Sequence, residues 1–163
     1  MNKKLRYLAN AAVIAALYVV LTFAANALGL ANYAIQVRFS EALTILPSFT
    51  PAAIPGLFIG CILSNTLTGC MVLDIVFGSL ATLLGALGTY VLRRRSKWLA
   101  PLCPILANTL IVPFILAYVY QFEGSVPYFM VTVGLGEVIS CGILGMLLLN
   151  TLHKYKKYLF PEE

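Results

Sequence analysis

Three clusters of basic residues divide a chain that is otherwise apolar. They occupy residues 3–6, 93–97 and 154–157, and Arg38 alone among the 11 lysines and arginines lies outside them. Basic residues at the ends of apolar spans mark cytoplasmic loops. An even number of membrane crossings must therefore separate successive clusters. Residues 7–92 have room for four crossings of about 20 residues and residues 98–153 for two, so the sequence predicts six transmembrane helices with both termini in the cytoplasm.

The composition supports an integral membrane protein. Of the 163 residues, 61% are hydrophobic and only 10% are charged, far from the composition of a soluble domain. We expect one membrane domain over residues 1–163, with a retained first helix rather than a cleaved signal peptide. The net charge of +5 does not indicate nucleic-acid binding, because the basic residues sit at the ends of spans instead of along one face. The predicted helices cover about 7–28, 33–46, 52–67, 71–92, 98–122 and 127–152.

The second predicted helix is the most polar span. On a helical projection, one face collects Gln36, Ser40, Glu41 and Thr44, with Arg38 at its edge. Ionisable residues at membrane depth usually face a partner or a water-filled cavity, so this face is a candidate binding site. The alternatives are an internal ion pair between Arg38 and Glu41 or a snorkelling arginine. The opposite face is expected to meet lipid, and it consists of Ile35, Phe39, Ala42, Leu43 and Leu46.

Three further polar residues interrupt the later apolar spans. Asp74 begins the fourth predicted helix and either interacts with the helix dipole or binds a ligand. Asn108 lies in a proline-rich helix, where an amide either lines a cavity or bonds another helix. Glu137 is too deep for the surface and needs a cation, a proton or a ligand donor. Together with Arg38 and Glu41, these groups suit a ligand rich in N–H donors, such as an amino-substituted purine-like ring or a cationic amine.

The sequence carries no recognisable catalytic, cofactor or metal signature. It has no HExxH motif and no Gly-rich phosphate loop, and its four cysteines are isolated in apolar surroundings. We therefore expect neither an enzyme nor a bound cofactor or metal. Any ATP-driven step needs other subunits.

The order of these features resembles the substrate-binding S component of energy-coupling factor (ECF) transporters, of the queuosine-precursor type QueT. The segments that carry the resemblance are QVRFSEALTILP (36–47), PAAIPGLFIGCILSN (51–65), DIVFGSLATLLGALGTYVLRRR (74–95), ANTLIVPFILAY (107–118) and VGLGEVISCGILG (133–145).

This resemblance implies an S-component-like bundle of six helices in the cell membrane. Such a protein captures a 7-deazaguanine (preQ1, preQ0 or queuine) from outside and docks on the coupling protein EcfT and two ATPase subunits. The AxxxA face of the first helix would meet the coupling protein, and it comprises Ala11, Ala15, Ala12 and Ala16.

The resemblance combined with hydrogen-bonding chemistry suggests a role for each polar residue. Glu137 and Glu41 would accept guanine-like N–H groups, Asp74 would face an exocyclic ammonium, and Asn108 and Arg38 would bind a carbonyl or brace the acids. Three other functions remain open: an S component for another vitamin-like heterocycle, a solitary ion-coupled transporter, and an intramembrane enzyme acting on lipid.

Overall fold

A computed structural model describes residues 2–30 and 35–159, and these residues form helices and no strand. The expectation of an all-α protein is confirmed for this part of the chain. The helices are α1 (Lys3–Ala27), a long 3₁₀ helix (Phe39–Ser48), α2 (Ala53–Leu67), α3 (Val72–Leu92), a 3₁₀ turn (Lys97–Leu99), α4 (Leu102–Phe114), a π-helical segment (Ile115–Val119), α5 (Val126–Glu137), a second π-helical segment (Val138–Leu144) and α6 (Gly145–Leu159).

Within the described residues, four helical stretches are long and apolar enough to cross a membrane: Lys3–Ala27, Val72–Leu92, Lys97–Val119 and Val126–Lys156. The last two are composite, since a π-helical segment continues α4 and another joins α5 to α6. Helix α2 is also apolar but has only 15 residues. At about 1.5 Å per residue it is shorter than the hydrocarbon core of a bilayer.

The helices alternate in direction except that α2 runs parallel to α1. Contacts between α1 and α2 are close because Gly56 packs on Ala11 and Gly60 packs on Ala15 and Tyr18. A Cβ atom added at Gly60 would lie 2.8 Å from the Tyr18 Cβ, so the absence of a side chain permits this approach. Helices α3, α4 and α5 are each antiparallel to the helix before them. The pairs that fix these directions are Cys61–Thr82, Asn65–Gly78, Gly85–Pro104, Thr89–Ala100, Thr109–Gly134 and Ile105–Gly142.

This arrangement brings the three basic clusters to one end of the bundle. Helix α1 starts there, α3 ends there, α4 begins beside the end of α3, and α6 ends there because it continues α5. The helix directions therefore agree with the prediction that the three basic clusters lie on the same side of the membrane.

The second predicted helix differs from the expected span over about 33–46. Residues 33 and 34 lie outside the described residues, residues 36–38 are not helical, and a 3₁₀ helix follows from Phe39 to Ser48. The Thr44 hydroxyl donates to the Glu41 carbonyl at 2.6 Å, and the Cys141 sulfur lies 3.4 Å from the same oxygen. Pro47 has no N–H for the Leu43 carbonyl. The side-chain contacts compete with the main-chain hydrogen bonds of an α-helix, and the proline removes one of them.

The 3₁₀ helix is central rather than lipid-facing on one side. It contacts α1, α2, α3, α6 and the second π-helical segment, and every residue from Ser40 to Pro47 is buried. The expectation that Ala42, Leu43 and Leu46 meet lipid was therefore wrong. The flanking α-helices are longer and surround the segment; Gly145 of α6, for example, lets the Ile45 side chain pack directly on that helix.

The four alanines predicted to meet a partner divide into two pairs. Ala11 and Ala15 are buried against Gly56 and Gly60 of α2, whereas Ala12 and Ala16 are exposed. In this conformation α2 covers the first pair and leaves the second pair accessible. That this face of α1 meets a partner stays a prediction.

Candidate functional site

Two connected cavities lie in the half of the bundle opposite the basic clusters. The larger one, here called the vestibule, has a volume of about 400 Å³. The smaller one, the inner chamber, has about 20 Å³. They share Gln36, Arg38, Asp74 and Val112. The inner chamber has room for about one water molecule, so only the vestibule has the size of a ligand pocket in this conformation.

All five polar residues singled out from the sequence line the inner chamber. Arg38 and Asp74 also line the vestibule, whereas Glu41, Asn108 and Glu137 line only the inner chamber. These residues come from the non-helical segment before the 3₁₀ helix, from that helix, and from α3, α4 and α5. The structure thus brings together side chains that are widely separated in sequence; whether they bind a substrate stays a prediction.

Glu41 is held by two donors from different helices. The Tyr18 hydroxyl of α1 donates to its Oε1 atom, and the Asn108 amide of α4 donates to Oε2 at 3.4 Å. Glu41 is 2% exposed and Tyr18 is 1% exposed, so these bonds form away from bulk water. The second bond is long and leaves Oε2 with capacity for a better donor.

Glu137 lies at the end of α5, where the second π-helical segment begins. The Cys141 thiol donates to its Oε2 atom at 3.1 Å. One potential ligand atom from each of Glu41, Glu137 and Cys141 lies within 4.8 Å of the others. Two buried carboxylates this close need a proton, a cation or N–H donors between them. The same arrangement suits a bound cation or a ligand edge with several N–H groups.

Arg38 lies at the boundary between the two cavities. Its backbone is extended, with φ of −109°, and its N–H donates to the Ser140 hydroxyl at 3.1 Å. Its guanidinium makes one weak hydrogen bond, at 3.5 Å, to Gln36. Within residues 2–30 and 35–159 it forms no ion pair, so the alternative of an Arg38–Glu41 ion pair is not found there. The guanidinium therefore shares the inner chamber with the carboxylates of Glu41, Asp74 and Glu137 but lies within ion-pair distance of none of them in this conformation.

Asp74 lies in the first turn of α3 and is 6% exposed. Its Oδ2 atom accepts a hydrogen bond of 2.8 Å from the Tyr120 hydroxyl, which itself accepts one from the Met71 N–H at 3.2 Å. Tyr120 follows the α4 span, and partial burial raises the pKa of its phenol above the ordinary value, with the Asp74 carboxylate acting in the same direction. The phenol is therefore a donor at neutral pH, and Asp74 is bound to a neighbouring segment rather than only capping its own helix.

Several residues of the site were not predicted from the sequence. Tyr18, Asn65, Tyr120 and Cys141 all touch or flank the predicted acids. The available signal for Tyr18 was a hydroxyl in the middle of an apolar helix, since a buried phenol needs a hydrogen-bond partner. No comparable signal marked Cys141, because cysteine is a common buried apolar residue.

Comparison with known proteins gives one result. The family described as QueT transporter matches residues 8–154, a range that includes all five polar residues of the inner chamber. No curated protein and no solved structure is significantly similar to the chain. A transporter family agrees with the four helical stretches of membrane-spanning length. Because the family model matches most of the chain, this membrane protein belongs to the QueT transporter family.

Proposed function

We propose that this protein is the substrate-binding S component of an ECF transporter. It captures a 7-deazaguanine (preQ1, preQ0 or queuine) from outside the cell for ATP-driven import by partner subunits. Membership of the QueT family supports a queuosine precursor as the cargo. The observation that carries the proposal is the convergence of three acids, an amide and an arginine beneath an open vestibule.

The polar groups match the hydrogen-bonding edge of a guanine-like base. Carboxylates accept parallel hydrogen bonds from adjacent N–H groups, which suits Glu41 and Glu137. Asn108 supplies an amide for the ring carbonyl, and Asp74 offers a charge for an exocyclic ammonium. Because the inner chamber is too small for a ring, the base reaches these acids only after side chains at the boundary between the two cavities, such as Arg38, move aside.

The proposed topology is a single multi-pass domain of the cell membrane over residues 1–163. It has six crossings, of which the 3₁₀ helix and α2 are the short ones, and both termini are cytoplasmic. The support is that the three basic clusters share one end of the bundle, which the positive-inside rule assigns to the cytoplasm. The vestibule then opens to the outside.

The proposed partners are the coupling protein and two ATPase subunits of the ECF type. The sequence has no phosphate-binding loop of its own, so ATP hydrolysis needs other chains. Ala12 and Ala16 are exposed among apolar neighbours of α1 and would admit a close helix–helix contact in the membrane.

The test is calorimetric titration of the purified protein in detergent with preQ1. We expect binding to the unaltered protein and at least about tenfold weaker binding to Glu137→Gln, because hydrogen bonds to a charged group contribute about 1.5–3 kcal/mol. Glu123→Gln, in an exposed loop, is the matched control and should bind normally. Equal affinity of Glu137→Gln and the control would remove Glu137 from the site, and no binding of any queuosine precursor would refute the function.

The cluster of Glu41, Glu137 and Cys141 supports a second candidate, a solitary ion-coupled transporter in which a cation occupies this site. Liposomes that hold the purified protein alone separate the two candidates. Uptake of preQ1 driven by an ion gradient would favour the second. Uptake that requires added coupling and ATPase subunits would favour the first.

A further inference from the structure

We propose that the vestibule is a second ligand subsite that takes a hydroxyl-bearing substituent carried on the amine of the base. This inference rests on the proposed function and specifies its substrate class. The protein then prefers deazaguanines whose aminomethyl group bears a hydroxylated ring over those with a bare aminomethyl group.

The inner chamber and the vestibule differ greatly in volume. The acids that suit the base lie around the inner chamber of about 20 Å³, whereas about 400 Å³ lies above them. A base that reaches Glu41 and Glu137 leaves most of the vestibule unfilled. A ligand that fills both parts extends upward from the base.

The polar groups of the vestibule wall suit a hydroxylated ligand. Amide and hydroxyl groups dominate its polar lining, and the two charged residues, Arg38 and Asp74, lie where it meets the inner chamber. Amides and hydroxyls can each donate and accept, as can the hydroxyl groups of a polyol. The neutral polar residues of the wall are Thr22, Asn26, Gln36, Asn65 and Thr68.

The side-chain amide of Asn65 is buried but makes no good hydrogen bond within the described part of the chain. The residue is 3% exposed, and its Nδ2 atom makes only a long contact of 3.7 Å with the Cys61 sulfur. Its Oδ1 atom accepts no hydrogen bond from the described part of the chain. Because Asn65 lines the vestibule, a ligand hydroxyl group in that cavity can donate a hydrogen bond to this oxygen.

Asp74 and Asn65 lie next to each other on the wall of the vestibule. An added Cβ at Gly78 would lie 3.2 Å from Asp74 Oδ1 and 3.4 Å from Asn65 Nδ2, so both groups pack against the same glycine. The other oxygen of Asp74 is occupied by Tyr120, which leaves Oδ1 for a ligand. A charged secondary amine at Asp74 followed by a hydroxyl at Asn65 matches this sequence of groups.

An aromatic surface completes the subsite. The rings of Tyr120 and Phe122 stack with centroids 5.4 Å apart and planes 27° apart, and both residues line the vestibule. A hydroxylated carbon ring has apolar C–H faces as well as polar edges. The stacked pair can cover such a face while the amides bind the edge.

The experiment compares two probes, preQ1 and queuine, by calorimetric titration of the detergent-purified protein. We expect the unaltered protein to bind queuine at least about fivefold more tightly than preQ1. Asn65→Leu should weaken queuine binding about five- to tenfold and change preQ1 binding less than twofold, which abolishes the preference. Asn150→Leu, on the exposed side of α6, is the matched control and should keep the preference.

The possible outcomes are distinct. If neither these probes nor preQ0 binds the unaltered protein, the proposed function fails; if preQ0 alone binds, the vestibule subsite is refuted and the proposed function stands. If both bind equally well, or if Asn65→Leu weakens both to the same extent, the vestibule subsite is refuted and the proposed function stands. If Asn65→Leu does not fold, Asn26→Ala removes a half-buried amide that lines only the vestibule and should weaken queuine more than preQ1; an equal effect on both refutes the subsite.

Discussion

The hydrogen bond from Tyr18 to Glu41 joins α1 to the centre of the bundle, and Tyr18→Phe removes it without creating a cavity. The phenylalanine ring keeps the packing on Gly60, so the loss is confined to one hydroxyl group. Both partners are almost completely buried, and water does not replace the lost donor. A hydrogen bond to a charged group contributes about 1.5–3 kcal/mol. For a chain of this length that loss lowers the melting temperature by about 3–12 °C.

The assay is thermal unfolding in one detergent, with Tyr7→Phe as the matched control. Tyr7 lies on the same helix but is 38% exposed, so loss of its hydroxyl should have little effect. In a Glu41→Gln background the same Tyr18→Phe change should cost only about 0.5–1.5 kcal/mol, because the remaining hydrogen bond is neutral. A Tyr18→Phe protein that melts with the control, or an equal cost in both backgrounds, would show that this bond does not stabilise the fold.

Two further predictions concern the packing and the topology. An added Cβ at Gly136 would clash with the Gln36 carbonyl oxygen, so Gly136→Ala should cost about 1–3 kcal/mol by the same melting assay. Gly142→Ala is the control and should be neutral or slightly stabilising, because an added Cβ there has no contact below 3.7 Å. Equal melting temperatures of the two variants would contradict the close approach of Gly136 to Gln36. In intact cells a membrane-impermeant maleimide should label Cys70, which lines the vestibule, but label Cys103 at the opposite end only after permeabilisation. The reverse pattern would invert the proposed orientation.

The helices and their alternating directions were largely predictable, because long apolar runs and basic clusters depend on composition and spacing. The convergence of Glu41, Asp74 and Glu137 on one cavity could also be predicted, since an acid in an apolar membrane span usually faces a partner or a water-filled cavity. These inferences depend only on the spacing of residue types along the chain and not on how the helices pack.

The 3₁₀ helix and the unpredicted donors depended on tertiary contacts instead. The carbonyl of Glu41 accepts a hydrogen bond from Thr44 and lies 3.4 Å from the sulfur of the distant Cys141, and no local pattern signals that second contact. Likewise, the burial of Ala11 and Ala15 follows from the glycines of α2 that face them. A small-residue pair predicts that a helix can approach closely, but it does not say which helix does so.

The central position of the 3₁₀ helix bears on how the protein is assembled in the membrane. Ten residues of this helix type rise only about 20 Å, and the segment contains a carboxylate whose donors come from α1 and α4. Alone in lipid, it would expose that acid and several main-chain carbonyls without partners. In the proposed six-span topology, we therefore expect stable insertion of this segment to require helices that are synthesised later, so that the bundle assembles in a concerted way rather than by stepwise addition of independent spans.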